Sequence, residues 1–175
     1  MKRVTQLLII TVSVLFILTG CRALDAPAIK IYAPIEGYKY IYITPTKELT
    51  AGYGYTRSDA FLGTRGLSTM KSVNPRDIIS GELIKQGFVI LPELQPELNT
   101  KTFIVNYGES GRKSRGLGYT IEVTLQFLSA DKNAVVCTCT AEGQGETEAD
   151  DIRIAIKRAL AGFFTMKENS DTLKN

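Results

Sequence analysis

The sequence predicts a two-layer α+β domain, in which a mixed sheet of four to five strands carries two helices on one face. Several segments have apolar residues at every second position, which is typical of half-buried strands. Two further segments have apolar residues at helical spacing, so each helix has one face to bury. One helix separates early strands and the other follows the last strand. The predicted order is therefore β-α-β-β-β-α.

The first half of the domain contains one clear strand and one helix. Residues 39–44 read Lys-Tyr-Ile-Tyr-Ile-Thr, and their aromatic and β-branched side chains alternate between two faces. Residues 50–73 are rich in Gly, Tyr, Thr and Ser, so we expect a long mobile loop with at most a short edge strand at Ala51–Tyr55. Asn74–Pro75 is a typical helix start, and Gly87 is a typical helix end.

The second half predicts further strands and a long helix. The strands are expected at Phe88–Leu91, Thr102–Tyr107, Tyr119–Phe127 and Ala134–Glu142. Thr147 can cap the last helix, with Asp150 three residues later in an arrangement like a capping box. The apolar positions of that helix recur at helical spacing, at Ile152, Ala155, Ile156, Ala159, Leu160 and Phe163.

The first 20 residues have the pattern of a secretory signal peptide. Lys2 and Arg3 precede an apolar run, Leu7–Leu18, that is shorter than the roughly 20 residues a bilayer-spanning helix needs. The run ends in Leu-Thr-Gly-Cys, residues 18–21, which resembles the lipobox of bacterial lipoproteins. The resemblance implies cleavage between Gly20 and Cys21, and a diacylglycerol and an N-acyl chain on Cys21. An uncleaved signal anchor with a chance cysteine is the alternative.

The residues after Cys21 predict the location. In bacterial lipoproteins an Asp directly after the lipidated Cys favours retention in the inner membrane, and here that residue is Arg22. No acidic run of the kind that directs surface export follows. We therefore expect a protein anchored in the outer membrane that faces the periplasm. The expected divisions are a signal peptide at 1–20, a tether at 21–37, a single domain at 38–165 and a polar tail at 166–175.

Composition narrows the classes of function. The first 20 residues hold two of the 21 basic residues and none of the 18 acidic ones, so the remainder has a formal charge of +1. This near-neutral charge gives no electrostatic case for nucleic-acid binding. The sequence has no His, which removes the commonest general base and most zinc sites, although carboxylates, Lys and Tyr could still act. We expect no enzyme activity, catalytic residue or metal ion.

Cys137 and Cys139 lie two residues apart on a predicted strand, so both thiols point to the same face. Their expected Cα separation of roughly 6.6 Å is at the edge of disulfide geometry. They are interpreted as two small buried apolar residues, with a disulfide as the alternative.

Two groups of residues could contact a partner or ligand. Residues 108–118 form a glycine-rich connection between two strands, with three cations at Arg112, Lys113 and Arg115. This is either a solvated hairpin tip or a docking patch for an anionic partner, such as lipid A phosphates or an acidic protein surface. Tyr53 and Tyr55 lie in the glycine-rich stretch, where aromatic rings either pack or stack on sugars.

The acidic residues around the start of the last helix complement the helix dipole, with a calcium site as the alternative.

Three stretches resemble small envelope lipoproteins of unknown function. They are Asn74-Pro-Arg-Asp-Ile-Ile with a helix ending Lys85-Gln-Gly-Phe88, the long hairpin, and residues 149–159. The order of strands and helices is similar to that of LptE, LpoB and the TolB amino-terminal domain. This resemblance implies a non-catalytic module that binds an envelope protein or glycolipid. A lipoprotein that captures a glycan or lipid through tyrosines and the basic hairpin is the alternative.

Overall fold

The computed structural model describes residues 23–59, 63–115 and 118–172, with the backbone alone described for residues 50–59, 63–71, 115 and 170–172. A short 3-10 helix at Pro96–Lys101 precedes β6. The other elements, in chain order, are β1 (Ala28–Ile31), β2 (Tyr40–Ile43), β3 (Leu49–Asp59), β4 (Gly63–Val73), α1 (Pro75–Lys85), β5 (Val89–Leu91), β6 (Thr102–Arg115), β7 (Gly118–Ser129), β8 (Val135–Gly143) and α2 (Glu148–Thr172).

The main sheet confirms the predicted α+β class. Its strand order is β1-β8-β7-β6-β2-β5. β2 is parallel to both β5 and β6, whereas β6, β7, β8 and β1 form successive antiparallel pairs. The sheet has six strands, so the expected number of four to five is wrong. The mixed pairing follows from the connections, because β6–β8 are joined by hairpins and β2 reaches β5 through a crossover that includes α1.

Strand β1 lies inside the segment that was predicted to be a tether. Residues Ala28–Ile31 pair with Thr140–Cys137 of β8 in antiparallel register. A four-residue strand flanked by Pro27 and Pro34 has little sequence signal, because prolines are typical of turns and sheet edges. It forms here because β8 would otherwise present an open edge. The sheet therefore starts ten residues before residue 38, the predicted start of the domain.

The glycine-rich stretch is a ribbon of two strands. β3 and β4 pair antiparallel from Leu49 with Val73 to Asp59 with Gly63. The prediction of a long loop over 50–73 was therefore wrong, and the short strand expected at Ala51–Tyr55 is only the centre of β3. Glycine has low strand propensity, but backbone hydrogen bonds pair two strands whatever their side chains, so composition is a weak guide.

Helix α1 begins and ends at the predicted residues. The Asn74 side-chain oxygen accepts a hydrogen bond from the Arg76 amide at 3.1 Å, and Pro75 occupies the first turn. Gly87 has a φ of +83°, the left-handed conformation that glycine adopts readily. The Phe88 amide bonds the Leu83 carbonyl at 3.2 Å and the Gly87 amide bonds the Ile84 carbonyl at 2.9 Å, so the helix closes in a Schellman motif.

Both helices bury their apolar faces on one side of the sheet. Ile79 and Leu83 of α1 join the same buried cluster as Ile156 and Phe163 of α2. α2 continues to Thr172, so the prediction of a separate polar tail at 166–175 does not match the helix. Among the described residues, no helix combines the length and apolar character that crossing a bilayer requires.

Candidate functional site

The predicted lipidation and cleavage residues, Cys21 and Gly20, lie outside the described residues. The described chain begins two residues later, and Arg158 of α2 holds it to the domain. The Arg158 guanidinium donates to the Asp25 carbonyl at 2.6 Å and to the Leu24 carbonyl at 3.4 Å. The same guanidinium also donates to the Glu142 carbonyl at the end of β8. Residues 24 and 25 are thus fixed to β8 and α2 rather than loosely attached.

An arginine suits this position because its planar guanidinium presents five donors in a rigid fork. Arg158 is half-buried, and hydrogen bonds from a charged donor contribute about 1.5–3 kcal/mol where they are partly shielded from water. The sequence did not single out this residue. A cation on the polar side of an amphipathic helix looks like any solvated side chain, and the carbonyls it binds are 133 and 16 positions away.

The predicted basic loop at 108–118 is mostly paired strand. β6 and β7 continue as a hairpin to the pairing of Arg115 with Gly118, and β8 ends beside Ile121. The hairpin thus extends beyond the end of β8. We call this end of the sheet the hairpin end: it contains Leu24–Asp25, the β8–α2 connection and the hairpin beyond Ile121.

The two described cations of the hairpin are paired with carboxylates of the same chain. Arg112 forms an ion pair with Glu148 at the start of α2, and its guanidinium lies 5.3 Å from the centre of the Tyr119 ring. Lys113 forms ion pairs with Glu142 at 2.6 Å and Glu122 at 3.1 Å. Hydrogen bonds to these two glutamates raise the pKa of Lys113 to about 12. The hairpin therefore presents less positive charge than its sequence indicates.

The remaining predicted contact residues are described only by their backbone. Arg115 is the last residue of β6. Tyr53 and Tyr55 lie on β3, opposite Thr69 and Leu67. The ribbon belongs to a separate two-stranded sheet, so these tyrosines and the hairpin cations are on different sheets.

The acidic residues at the start of α2 serve the helix and its surroundings. The Asp150 amide donates to Thr147 Oγ1 at 3.2 Å, and this hydroxyl donates to Asp150 Oδ2 at 2.9 Å, which closes the predicted cap. Asp150 also pairs with Arg153 at 2.8 Å. Asp151 is buried and accepts a hydrogen bond from the Gly145 amide. Within the described ranges, no three potential metal ligands lie close enough to hold an ion.

An open groove lies at the opposite end of the sheet. It has a volume of about 530 Å³, between the loop after β1, the end of the 3-10 helix and the β7–β8 turn. Tyr38, stacked on Phe103 with ring centres 3.7 Å apart, forms part of its wall. Exposed Tyr32 and Val135 lie close to its edge, since the Tyr32 amide bonds the Val136 carbonyl at 2.8 Å. We call this end the groove end; no sequence motif pointed to it.

The cysteine pair lies in the core as the sequence indicated. Cys137 and Cys139 are both fully buried free thiols, with their Sγ atoms 3.6 Å apart. The hydrogen bond to Cys137 and burial both raise the pKa of Cys139. The pair is therefore part of the apolar packing between β8 and α2 in this state of the protein.

No protein-family model matches the sequence, and no curated protein matches it. The solved structures that resemble this chain include two of PelC dodecamers from Paraburkholderia phytofirmans, in different crystal forms. One, a point variant, has a TM-score of 0.41 at 12% identity and covers 77% of this chain and 94% of its own. The other has a TM-score of 0.40 at 13% identity, with the same coverage.

Proposed function

We propose that this protein is a lipid-anchored, non-catalytic binding or assembly module of the bacterial envelope. It is held in the outer membrane by acyl chains on Cys21 and faces the periplasm. The lipobox-like residues 18–21, directly after a short apolar run, carry the proposal. Two or more acyl chains anchor a protein stably, because each buried methylene contributes about 0.8 kcal/mol.

The anchor is tested by membrane fractionation of the full-length protein and its Cys21→Ser variant. We expect the wild-type protein in the outer-membrane fraction, with a mass increased by a diacylglycerol and an acyl group after loss of residues 1–20. Cys21→Ser should lack both the cleavage and the added mass. Wild-type protein of unmodified mass would overturn the proposal.

The groove end is the surface offered to an envelope protein. β8 has nine residues, so this end lies about 25–30 Å from the hairpin end at a rise of roughly 3.3 Å per residue. Tyr32 is 60% exposed there and Val135 37%. Exposed aromatic residues beside a concave surface are typical of protein interfaces.

Site-specific photocrosslinking in cells tests this assignment. A photoreactive residue at Tyr32 should give one reproducible protein adduct, which Cys21→Ser reduces because the protein is no longer concentrated at the membrane. The matched control is Ile84, which is 57% exposed on α1 and lies outside the groove. Equal adducts from both positions, or none from Tyr32, would contradict a partner at the groove end.

A further inference from the structure

We propose that the hairpin end of the domain rests directly on the lipid surface, so that the protein has a fixed orientation and its groove end points away from the membrane. This inference rests on the proposed lipidation of Cys21. It goes further than anchoring, because a lipoprotein with a long tether would have no preferred orientation. The hairpin end contacts the headgroup layer of the same membrane in which the acyl chains are embedded.

The length of free chain carries the first step. Arg158 holds the Leu24 and Asp25 carbonyls, and only two residues lie between Leu24 and Cys21. At 3.3–3.6 Å per residue, even a fully extended chain places Leu24 within about 11 Å of Cys21. Since the acyl chains on Cys21 enter the bilayer, the part of the domain around Arg158 must lie close to the headgroups.

The hairpin reaches the same level. The Leu24 and Glu142 carbonyls both accept hydrogen bonds from the Arg158 guanidinium, so they lie side by side. Beside Glu142, the β6–β7 pairing continues from Ile121, which pairs with Gly143, to Gly118, which pairs with Arg115. Three residues of β7 span about 10 Å. The hairpin therefore extends past β8 by about the greatest length that the tether can span, so it lies within reach of the same headgroups.

The chemistry of the hairpin fits a headgroup layer. Tyr119 is 40% exposed, and tyrosine favours the boundary between apolar and wet surroundings. Arg112 lies over its ring, and Lys113, whose side chain is 59% exposed, follows on the opposite face of the strand. Each face of the hairpin therefore has a cationic donor near this end. Because both cations are paired with glutamates, the short tether rather than net charge holds the hairpin down. We therefore expect little change in docking when the salt concentration is raised.

The absence of tryptophan from the sequence permits a direct test. Two variants each introduce one tryptophan, Tyr119→Trp at the hairpin end and Tyr32→Trp at the groove end. The lipidated proteins are purified from membranes and placed in vesicles of phosphatidylethanolamine and phosphatidylglycerol that contain a headgroup-spin-labelled lipid. We expect at least twofold stronger quenching at position 119 than at position 32, in low and high salt alike.

Two further variants test whether the short tether causes the fixed orientation. Twelve Gly and Ser residues inserted after Arg22 leave the Arg158 contacts in place but add a flexible spacer of about 19 Å. Quenching at position 119 should then fall to the level at position 32. Arg158→Gln, which frees Leu24 and Asp25, should also lower the quenching at position 119. The insertion keeps the test valid if Arg158→Gln proves poorly folded.

The outcomes distinguish the proposed orientation from the proposed lipid anchor. Equal quenching at positions 119 and 32 in protein of lipidated mass would overturn the orientation while leaving the anchor intact. Strong quenching at 119 that survives the insertion would overturn the short tether as its cause. Protein of unmodified mass would overturn both the anchor and the orientation.

Discussion

Asp151 is a carboxylate whose surroundings oppose its charge. It is 4% exposed at the start of α2. Burial raises its pKa, and the nearby Asp150 and Glu148 raise it further, whereas the hydrogen bond from the Gly145 amide lowers it in part. The Asp151 side chain nevertheless accepts a hydrogen bond from the Gly145 amide, which would otherwise be left without that acceptor.

We expect Asp151→Asn to change how stability depends on pH. A carboxyl group with a raised pKa binds its proton more tightly in the folded state, so stability falls as pH rises through the range above the usual aspartate pKa. The Asn variant keeps an oxygen for Gly145 but does not titrate. Its stability relative to wild type should therefore increase with pH across that range and stay constant above it. Urea unfolding from pH 3.5 to 7 measures this difference.

Asp131→Asn, an exposed change in the β7–β8 turn, is the control and should follow the wild-type pH profile. A stability difference between Asp151→Asn and wild type that does not vary with pH would contradict the prediction.

At the scale of elements, α2 lies unusually close to the end of β8. A Cβ added to Gly143 would clash with the Asp151 carbonyl oxygen and lie 2.7 Å from the Ala155 amide nitrogen. Both are backbone atoms of a helix, which cannot yield without shifting the whole element. Glycine at this position therefore allows the helix to cross the strand, and it helps to place Arg158 beside the Glu142 carbonyl.

Gly143→Ala should lower the free energy of unfolding by about 1–3 kcal/mol, the usual cost of overpacking, because α2 must move away from β8. Gly108→Ala is the matched control, since it is also a strand glycine but has no atom within 4 Å of the added Cβ. Chemical denaturation measures both. Equal losses in the two variants would show that strand propensity, and not the close approach, determines the effect.

At the scale of the whole molecule, a group of aromatic rings joins the helix layer to the sheet. Phe163 of α2 stacks on Phe127 of β7 with ring centres 4.3 Å apart, and Phe103 of β6 meets both rings edge-on. All three are fully buried. Tyr38 extends the group by stacking on Phe103, so the same cluster that holds the two layers together also supports the wall of the groove.

Phe163→Ala should lower the free energy of unfolding by about 3–5 kcal/mol, because it leaves a cavity between the layers. This is a large part of the 5–15 kcal/mol that is usual for a domain of this size. Met166→Ala, three residues later on the same helix and 39% exposed, should cost much less. Thermal unfolding measures both, and similar losses would argue against a core centred on Phe163.

The sequence was most informative where a signal is local. The α1 caps at Asn74 and Gly87 depend on neighbouring residues, and the alternation in β7 depends on residues two apart, so all were predicted correctly. β1 and the β3–β4 ribbon were missed because each forms by backbone pairing with a strand whose position the local pattern does not encode. The predicted number of strands in the main sheet was wrong because β1 was missed.

The same distinction between local and long-range information applies to the candidate site. The lipobox-like residues before and at Cys21 are contiguous, so the sequence alone determined the anchor proposal, and the alternating apolar residues determined the α+β class. Only the tertiary structure decided that the hairpin cations are paired with distant glutamates, and that Arg158 holds residues 24 and 25 beside the end of β8. These contacts join residues far apart in the chain, and their geometry exists only after the sheet and α2 have packed together.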